Sequence, residues 1–479
     1  MVFRLPSFSP VAWVTFEKVT QQGLWLILFA VLAPILGPRP YGLFSIVMVF
    51  VGVCELILLE GAIEALVMIR DLDHLHTTTA NLANGGIALA LAAGIFVLAP
   101  VIGALFHDDD IKLLMWTLIP LPLLSSLAAT PLATLRRSMS YRTLAMRSII
   151  GLIIGGAFGI ALAVAGFGVW ALAAQVLAQR TAEFVIAWAS APVRIGFRWS
   201  GPHFRELRPV AINVFAGLIL TFASGQLPRL ILGYMLGPTE LGLFTLANRF
   251  LDMIVQTAVL PVTAVGRLEL RSSKPGSPEF EGIFTKVMQN VSLLTFSLFL
   301  GAAVVTPELF RIWLNERWQD GVVPMQYMLL SGIPLTLFYC VDMAFFAANL
   351  SRYFVWTAFS QVFTMSITVL CVSPFGLDLT CLALAIRPWL VLPIFLILLR
   401  RTCHVSIFKI LWSPLRSLIG AIAMGGMMTM PFLRPSWLHQ VTPLIVLIPA
   451  GMGFYFIFLY GFLWTQFKTF VKDIFIDQS

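Results

Sequence analysis

The chain has 479 residues, 59% of them hydrophobic and 11% charged, with a mean hydropathy of +0.91. Soluble chains carry about 25% charged residues, so this composition excludes a soluble enzyme or binding module and requires an integral membrane protein. The net charge of +8 does not indicate nucleic acid, because the basic residues fall in short loops between apolar runs, a pattern that orients membrane proteins.

Taking about 20 apolar residues per crossing, the chain reads as fourteen candidate spans. They lie near 15–36, 41–69, 79–106, 111–135, 144–165, 168–191, 209–236, 240–266, 284–306, 322–348, 352–373, 378–400, 413–433 and 441–466. The N-terminus lacks a small-residue cleavage site after a short apolar core, so no cleaved signal peptide is expected. Leu36–Gly37–Pro38–Arg39–Pro40–Tyr41–Gly42–Leu43–Phe44–Ser45 joins the first span to the second. Leu236–Gly237–Pro238–Thr239–Glu240–Leu241–Gly242–Leu243–Phe244–Thr245 repeats it between the seventh and eighth, with six of ten positions identical. In each copy Gly-Pro stops one helix and Gly-Leu-Phe opens the next. Phe167–Gly168 and Phe375–Gly376 form a second ordered match, each followed by an Ala-Leu run and an intramembrane arginine, Arg180 or Arg387. The expected fold is therefore all-α and polytopic. About 14 transmembrane helices form two pseudo-symmetric six-helix lobes, 1–200 and 201–401, followed by two further helices and a tail, 402–479.

With the N-terminus inside, 22 of the 31 Lys and Arg fall on the cytoplasmic side and only Arg39, Lys112, Arg311, Arg317 and Arg434 outside. One missed span would invert everything downstream, so this asymmetry predicts both termini inside. The outer loops are too short for an outer catalytic domain.

His107–Asp108–Asp109–Asp110 reads as a solvated acidic tip, and His74 and His76 as solvated rather than as a ligand pair. The five cysteines, Cys54, Cys340, Cys371, Cys381 and Cys403, show no metal or redox spacing. No Walker loop, HExxH, nucleophile elbow or Rossmann fingerprint occurs, so no cofactor, metal or catalytic residue is expected. Ionisable groups inside apolar segments are costly in lipid and turn toward a bundle interior or an aqueous cavity. Gln175, Gln179 and Glu183 recur on one face of the sixth span, and Asn248, Asp252 and Gln256 repeat that spacing on the eighth, beside Arg249. Glu60 and Glu64 share a face of the second span. Arg229, Asp342 and Arg387 complete the set of cavity candidates. Arg180–Glu183 and Arg249–Asp252 are also spaced to pair locally, whereas Arg229 and Arg387 have no opposite charge within four residues.

The duplicated Leu-Gly-Pro motif, together with Leu135–Arg136–Arg137–Ser138–Met139–Ser140–Tyr141–Arg142 and Phe167–Gly168–Val169–Trp170–Ala171–Leu172–Ala173–Ala174–Gln175, resembles the Wzx-type flippases. These are the polysaccharide-transport branch of the multidrug/oligosaccharidyl-lipid/polysaccharide (MOP) exporter superfamily. The resemblance implies a two-lobed exporter of the bacterial cytoplasmic membrane. Its cargo would be an undecaprenyl-diphosphate-linked saccharide for lipopolysaccharide or exopolysaccharide biosynthesis, moved between leaflets by alternating access. Membrane lipids and a polysaccharide polymerase complex are the other implied partners, and no site residue is carried over. A cation-coupled drug exporter of the MATE type shares the architecture, but its cavity should be dominated by acids and aromatics, whereas here arginines accompany the acids. A membrane-embedded saccharide polymerase or ligase fits the short outer loops less well.

Overall fold

The computed structural model describes residues 10–69, 73–191, 196, 198–429, 453 and 455, and among them every regular element is a helix. Two compact units form, Met1–Gly242 and Leu243–Ser479. The first holds α1 (Pro10–Leu36), α2 (Pro38–Glu55), α3 (Ala62–Met68), α4 (His74–Leu105), α5 (Asp109–Thr117), α6 (Pro120–Arg137), α7 (Tyr141–Val164), α8 (Val169–Ser190) and α9 (Gly201–Leu236). The second holds most of α10 (Pro238–Ile254), then α11 (Leu260–Arg271), α12 (Pro278–Trp313), α13 (Val322–Ala347), α14 (Ser351–Val372), α15 (Leu377–Cys403) and α16 (Ile407–Thr429).

Eleven helical segments of the described residues are long and apolar enough to cross a membrane. The chain is a multi-pass, all-α membrane protein. Helices α8 and α9 stand where the sixth and seventh spans are expected, and the expected span near 441–466 lies outside the described residues apart from 453 and 455. Two of the candidate crossings contain a π-helical turn. A π-helical turn at Leu56–Gly61 joins α2 to α3, and another at Val255–Val259 joins α10 to α11. Such turns are rare and cluster at functional sites. Each follows one copy of the glycine-proline motif, after α2 in one case and α10 in the other.

The glycine-proline turns behave alike as well. Gly37 and Gly237 take φ of 78° and 86°, a left-handed region open to glycine at no steric cost. The second helix begins at the proline itself, so Gly42–Leu43–Phe44 lies in its second turn rather than opening it. Proline suits the first helical position because the N–H it lacks would have no partner there. A Cβ on Gly42 would strike the carbonyl of Pro238, and one on Gly242 would strike the carbonyl of Pro38. The two copies of the turn meet reciprocally inside the first unit. Helices α6 and α13 also end alike, with Met139 and Asn349 left-handed at φ 54° and 58°. Ser140 N–H reaches back to the Leu135 carbonyl at 3.0 Å, and Leu350 N–H to that of Phe345 at 2.9 Å, which closes each helix end.

Lipid tails are as apolar as leucine, so close packing and polar contacts hold such helices together rather than exclusion of water. In the first unit α7 and α8 form a hairpin through left-handed Gly166 and Gly168, and α1 packs on α7 with Leu28 against Gly156. Ile63, Leu66, Leu132 and Leu144 close the seam of α3, α6 and α7. In the second unit Phe280, Phe284, Phe296, Phe299 and Phe338 are fully buried where α12 and α13 pack. Outward, α4 presents Leu89, Phe96, Val97 and Val101 exposed, the apolar face expected of a helix in contact with lipid.

Candidate functional site

The polar face of α8 is turned into the protein. Gln175 and Glu183 are 2% and 4% exposed, and both lie against α7. A Cβ on Gly151 would come within 2.5 Å of Glu183 Cγ, one on Gly155 within 2.5 Å of the Gln175 carbonyl oxygen, and one on Gly159 within 2.9 Å of Gln175 Cβ. The glycine stripe therefore makes room for the glutamine and glutamate side of its neighbour. Arg180 Nε lies 3.0 Å from Glu55 Oε1, and its Nη1 lies 3.0 Å from Glu183 Oε2. Gln179 donates to Glu183 at 2.9 Å, Ser125 to Glu55 at 3.3 Å, and Arg147 stands 3.8 Å from Glu183. A charge in this environment needs such partners, so the local pairing of Arg180 with Glu183 widens into a network across α2, α6, α7 and α8.

Beyond the π-helical turn the same crossing faces a cavity of about 800 Å³. Its polar lining includes Glu17 of α1, Glu60, Glu64 of α3, Arg136 of α6, and Tyr141 and Arg147 of α7. Arg136 pairs with Glu64 at 3.1 Å and Glu60 at 3.5 Å. Arg137 donates to the carbonyls of Leu66 at 3.1 Å, Val67 at 3.2 Å and Ile69, and so satisfies the end of α3. From the sequence, Arg136 and Arg137 counted toward the cytoplasmic charge and the family motif but not as site residues; their position directly after an apolar span was the available cue.

On α10 the pattern is the opposite of α8. Phe244, Ala247, Leu251 and Ile254 are buried, whereas Arg249 and Asp252 are exposed, as is Gln256 in the π-helical turn that follows. Asn248 donates to Asp252 at 2.8 Å. This stripe lies in a candidate span. Lipid does not solvate it, so it must meet water or other polar groups.

The remaining candidates lie on separate helices. Arg229, half-buried on α9, takes Gln226 Oε1 at 3.3 Å. Arg387 of α15 donates to Thr364 Oγ1 at 2.9 Å and to the Gln361 carbonyl at 3.0 Å, both on α14, and its Nε has no partner among the described residues. Asp342 of α13 accepts from Thr357 and lies in the field of Arg267. Arg267 also stacks over Phe346 at 4.5 Å and opens a second cavity, of about 660 Å³, with Arg271, Ser272, Ser273 and Lys274. The described lining of that cavity contains no carboxylate.

Two polar groups from the loops are more ordered than solvated tips. Asp108 caps α5 by accepting from Asp110 N–H at 3.0 Å and pairs with Arg39 at 2.7 Å. Asp73 caps α4 by accepting from His76 N–H at 2.8 Å, a bond that holds its carboxyl below the usual carboxylate range. No sequence signal connects Asp73 and His76 with His203, yet the three come together.

A family profile described as polysaccharide biosynthesis protein matches residues 31–323, more than half of the chain. The chain belongs to this family of polysaccharide biosynthesis proteins. This family member is 28% identical over 258 residues to the succinoglycan biosynthesis transport protein ExoT of Rhizobium meliloti, a match covering 53% of this chain and 52% of that protein. The match thus spans about half the relative's length. It is 23% identical over 357 residues to the lipopolysaccharide biosynthesis protein WzxC of Escherichia coli, covering 70% of this chain and 68% of that one. The lipid II flippase MurJ in its inward closed conformation superposes with a TM-score of 0.74 at 13% identity, over 94% of this chain and 98% of that chain. An inward-facing multidrug resistance MATE family transporter of the MOP superfamily gives 0.58 at 14% identity, over 86% and 98%. At these identities the likeness establishes the fold alone.

Proposed function

We propose that the protein is a flippase of the bacterial inner membrane, with both termini cytoplasmic, that moves an undecaprenyl-diphosphate-linked oligosaccharide or repeat unit to the outer leaflet by alternating access. The observation that carries this reading is its membership of the polysaccharide biosynthesis family on a flippase-type fold, with relatives named for succinoglycan transport and lipopolysaccharide biosynthesis. The exposed Arg249 and Asp252 stripe and the two arginine-bearing cavities supply the polar, partly cationic surface that a diphosphate and sugar hydroxyls need. Arginine suits the diphosphate because its planar fork donates two parallel hydrogen bonds. Arg229 and Arg387, with Arg249 as a third, are assigned to the diphosphate, and Asp252 and Asp342 to the sugar or to a coupling ion. Gln175, Gln179 and Glu183 are assigned to holding α8 on α7 beside that path.

The test is deletion of the gene, analysis of lipid-linked saccharides and surface polysaccharide, and complementation with variants. Accumulation of the lipid-linked saccharide in the deletion strain is expected. Unchanged polysaccharide with altered drug susceptibility would favour a MATE-type exporter instead. A charged hydrogen bond contributes roughly 1.5–3 kcal/mol, so Arg387→Ala and Arg229→Ala should each weaken cargo binding about tenfold or more. The Arg→Lys variants keep the charge without the fork and should recover only part of the export. Full export by both Ala variants at normal abundance would remove these two arginines from the site.

A further inference from the structure

We infer that Asp73, His76 and His203 form a binding site for a divalent transition metal ion, Zn²⁺ foremost, at the start of α4 and α9. Each of the three offers a ligand atom, and these atoms lie within 4.8 Å of one another. His203 Nε2 stands 3.5 Å from Asp73 Oδ2. That is long for a charged hydrogen bond, but near the ~3.3 Å that separates two ligands each about 2.0–2.1 Å from a tetrahedral zinc. The Ser200 hydroxyl engages His203 Nδ1, which leaves Nε2 directed at the carboxylate. Fixing one ring nitrogen so that the other serves as ligand is the usual role of a group behind a metal-binding histidine.

The Asp73–His76 pair alone is accounted for as a reciprocal helix cap. His203 is not, because it belongs to another helix far along the chain. Its ring meets that of His76 edge to face at 4.2 Å between centroids. His76 is 6% exposed, whereas the Asp73 side chain is 52% exposed, so the imidazole is held in the protein while the carboxylate gives the ion a route in and room for a water as fourth ligand. Two imidazoles and a carboxylate suit zinc better than magnesium or calcium, which prefer all-oxygen shells. Ser200 N–H donates to Thr79 Oγ1 at 3.2 Å, so the approach to α9 already docks on the first turns of α4. The ion would fasten that junction. This assignment is independent of the cargo.

The test uses the full chain purified in detergent and stripped with chelator, titrated with Zn²⁺ by calorimetry and with Co²⁺ by visible absorption. One saturable ion per chain, the absorption of tetrahedral Co²⁺ and a raised melting temperature are expected. His203→Ala should abolish that binding. Ser200→Ala should weaken it by about 10–100-fold, the usual loss for a group that orients a ligand. Variants are compared on material that elutes as the unmodified protein does. His76→Gln, which keeps bulk at the cap, supplies a second ligand deletion. Absence of saturable binding by the unmodified chain overturns the site, and so does binding that survives His203→Ala.

Discussion

Glu183 and Asp252 are the same chemistry in opposite settings. Glu183 is buried and shared by Arg180, Gln179 and Arg147, whereas Asp252 is exposed on α10 beside Asn248. Removing one partner of a buried pair costs about 3–5 kcal/mol. Because Arg180 keeps Glu55, Glu183→Ala should fall at or below the lower end of that range. A lower melting temperature and reduced membrane abundance are expected, with Glu183→Gln intermediate because the amide retains the packing. Asp252→Asn should change stability by no more than about 0.5 kcal/mol, as exposed substitutions do. If it reduces export at normal abundance, the stripe acts on cargo or ion. Thermostability of detergent-solubilised protein and parallel export assays separate the two residues. An Asp252→Asn protein as unstable as Glu183→Ala would show that α10 carries a structural charge instead.

At the scale of elements, the α7–α8 seam depends on absent side chains. The backbone carbonyl of Gln175 cannot move aside for a methyl group on Gly155. Gly155→Ala should therefore cost about 1–3 kcal/mol through overpacking, while Ile153→Ala, on the exposed side of α7, should cost much less. Equal melting temperatures for these two variants would contradict the packing. This seam also marks where the sequence stops being informative. The helices, the glycine-proline breaks and the shared face of Gln175, Gln179 and Glu183 were legible, because apolar length, proline chemistry and helical spacing are local properties. That face has the same spacing as Asn248, Asp252 and Gln256. Only the neighbour differs: glycines of α7 cover one stripe, and nothing in the described second unit buries the charges of the other. Spacing fixes a face but not what the face meets. The gathering of His203 with Asp73, or of Arg136 with Glu64, was invisible for the same reason.

For the whole molecule the central prediction is topology. The distribution of Lys and Arg places the Arg136–Arg137 end of the first unit and the Arg271–Lys274 segment of the second on the cytoplasmic side. Reporter fusions after Arg137, Arg198 and Lys274 should report the inside, and fusions after Gly37, Asp109 and Asn315 the outside. If Arg198 and Lys274 report opposite sides, the number of crossings between them is odd rather than the expected two, and the support for the repeat weakens with it. With the expected orientation, each unit's arginine-bearing cavity is expected on the cytoplasmic side, the side from which the proposed cargo would be loaded.

The reciprocal contact of Gly42 with Pro238 and of Gly242 with Pro38 has a consequence for heredity. Exchanging the two turns maps the contact onto itself, as in the isologous interface of a two-fold homodimer. Neither codon can drift alone, because each glycine is judged against the backbone of the other repeat. Saturation mutagenesis should return glycine, and little else, at both positions. Free substitution at one and intolerance at the other would show that the symmetry of the contact no longer constrains the gene.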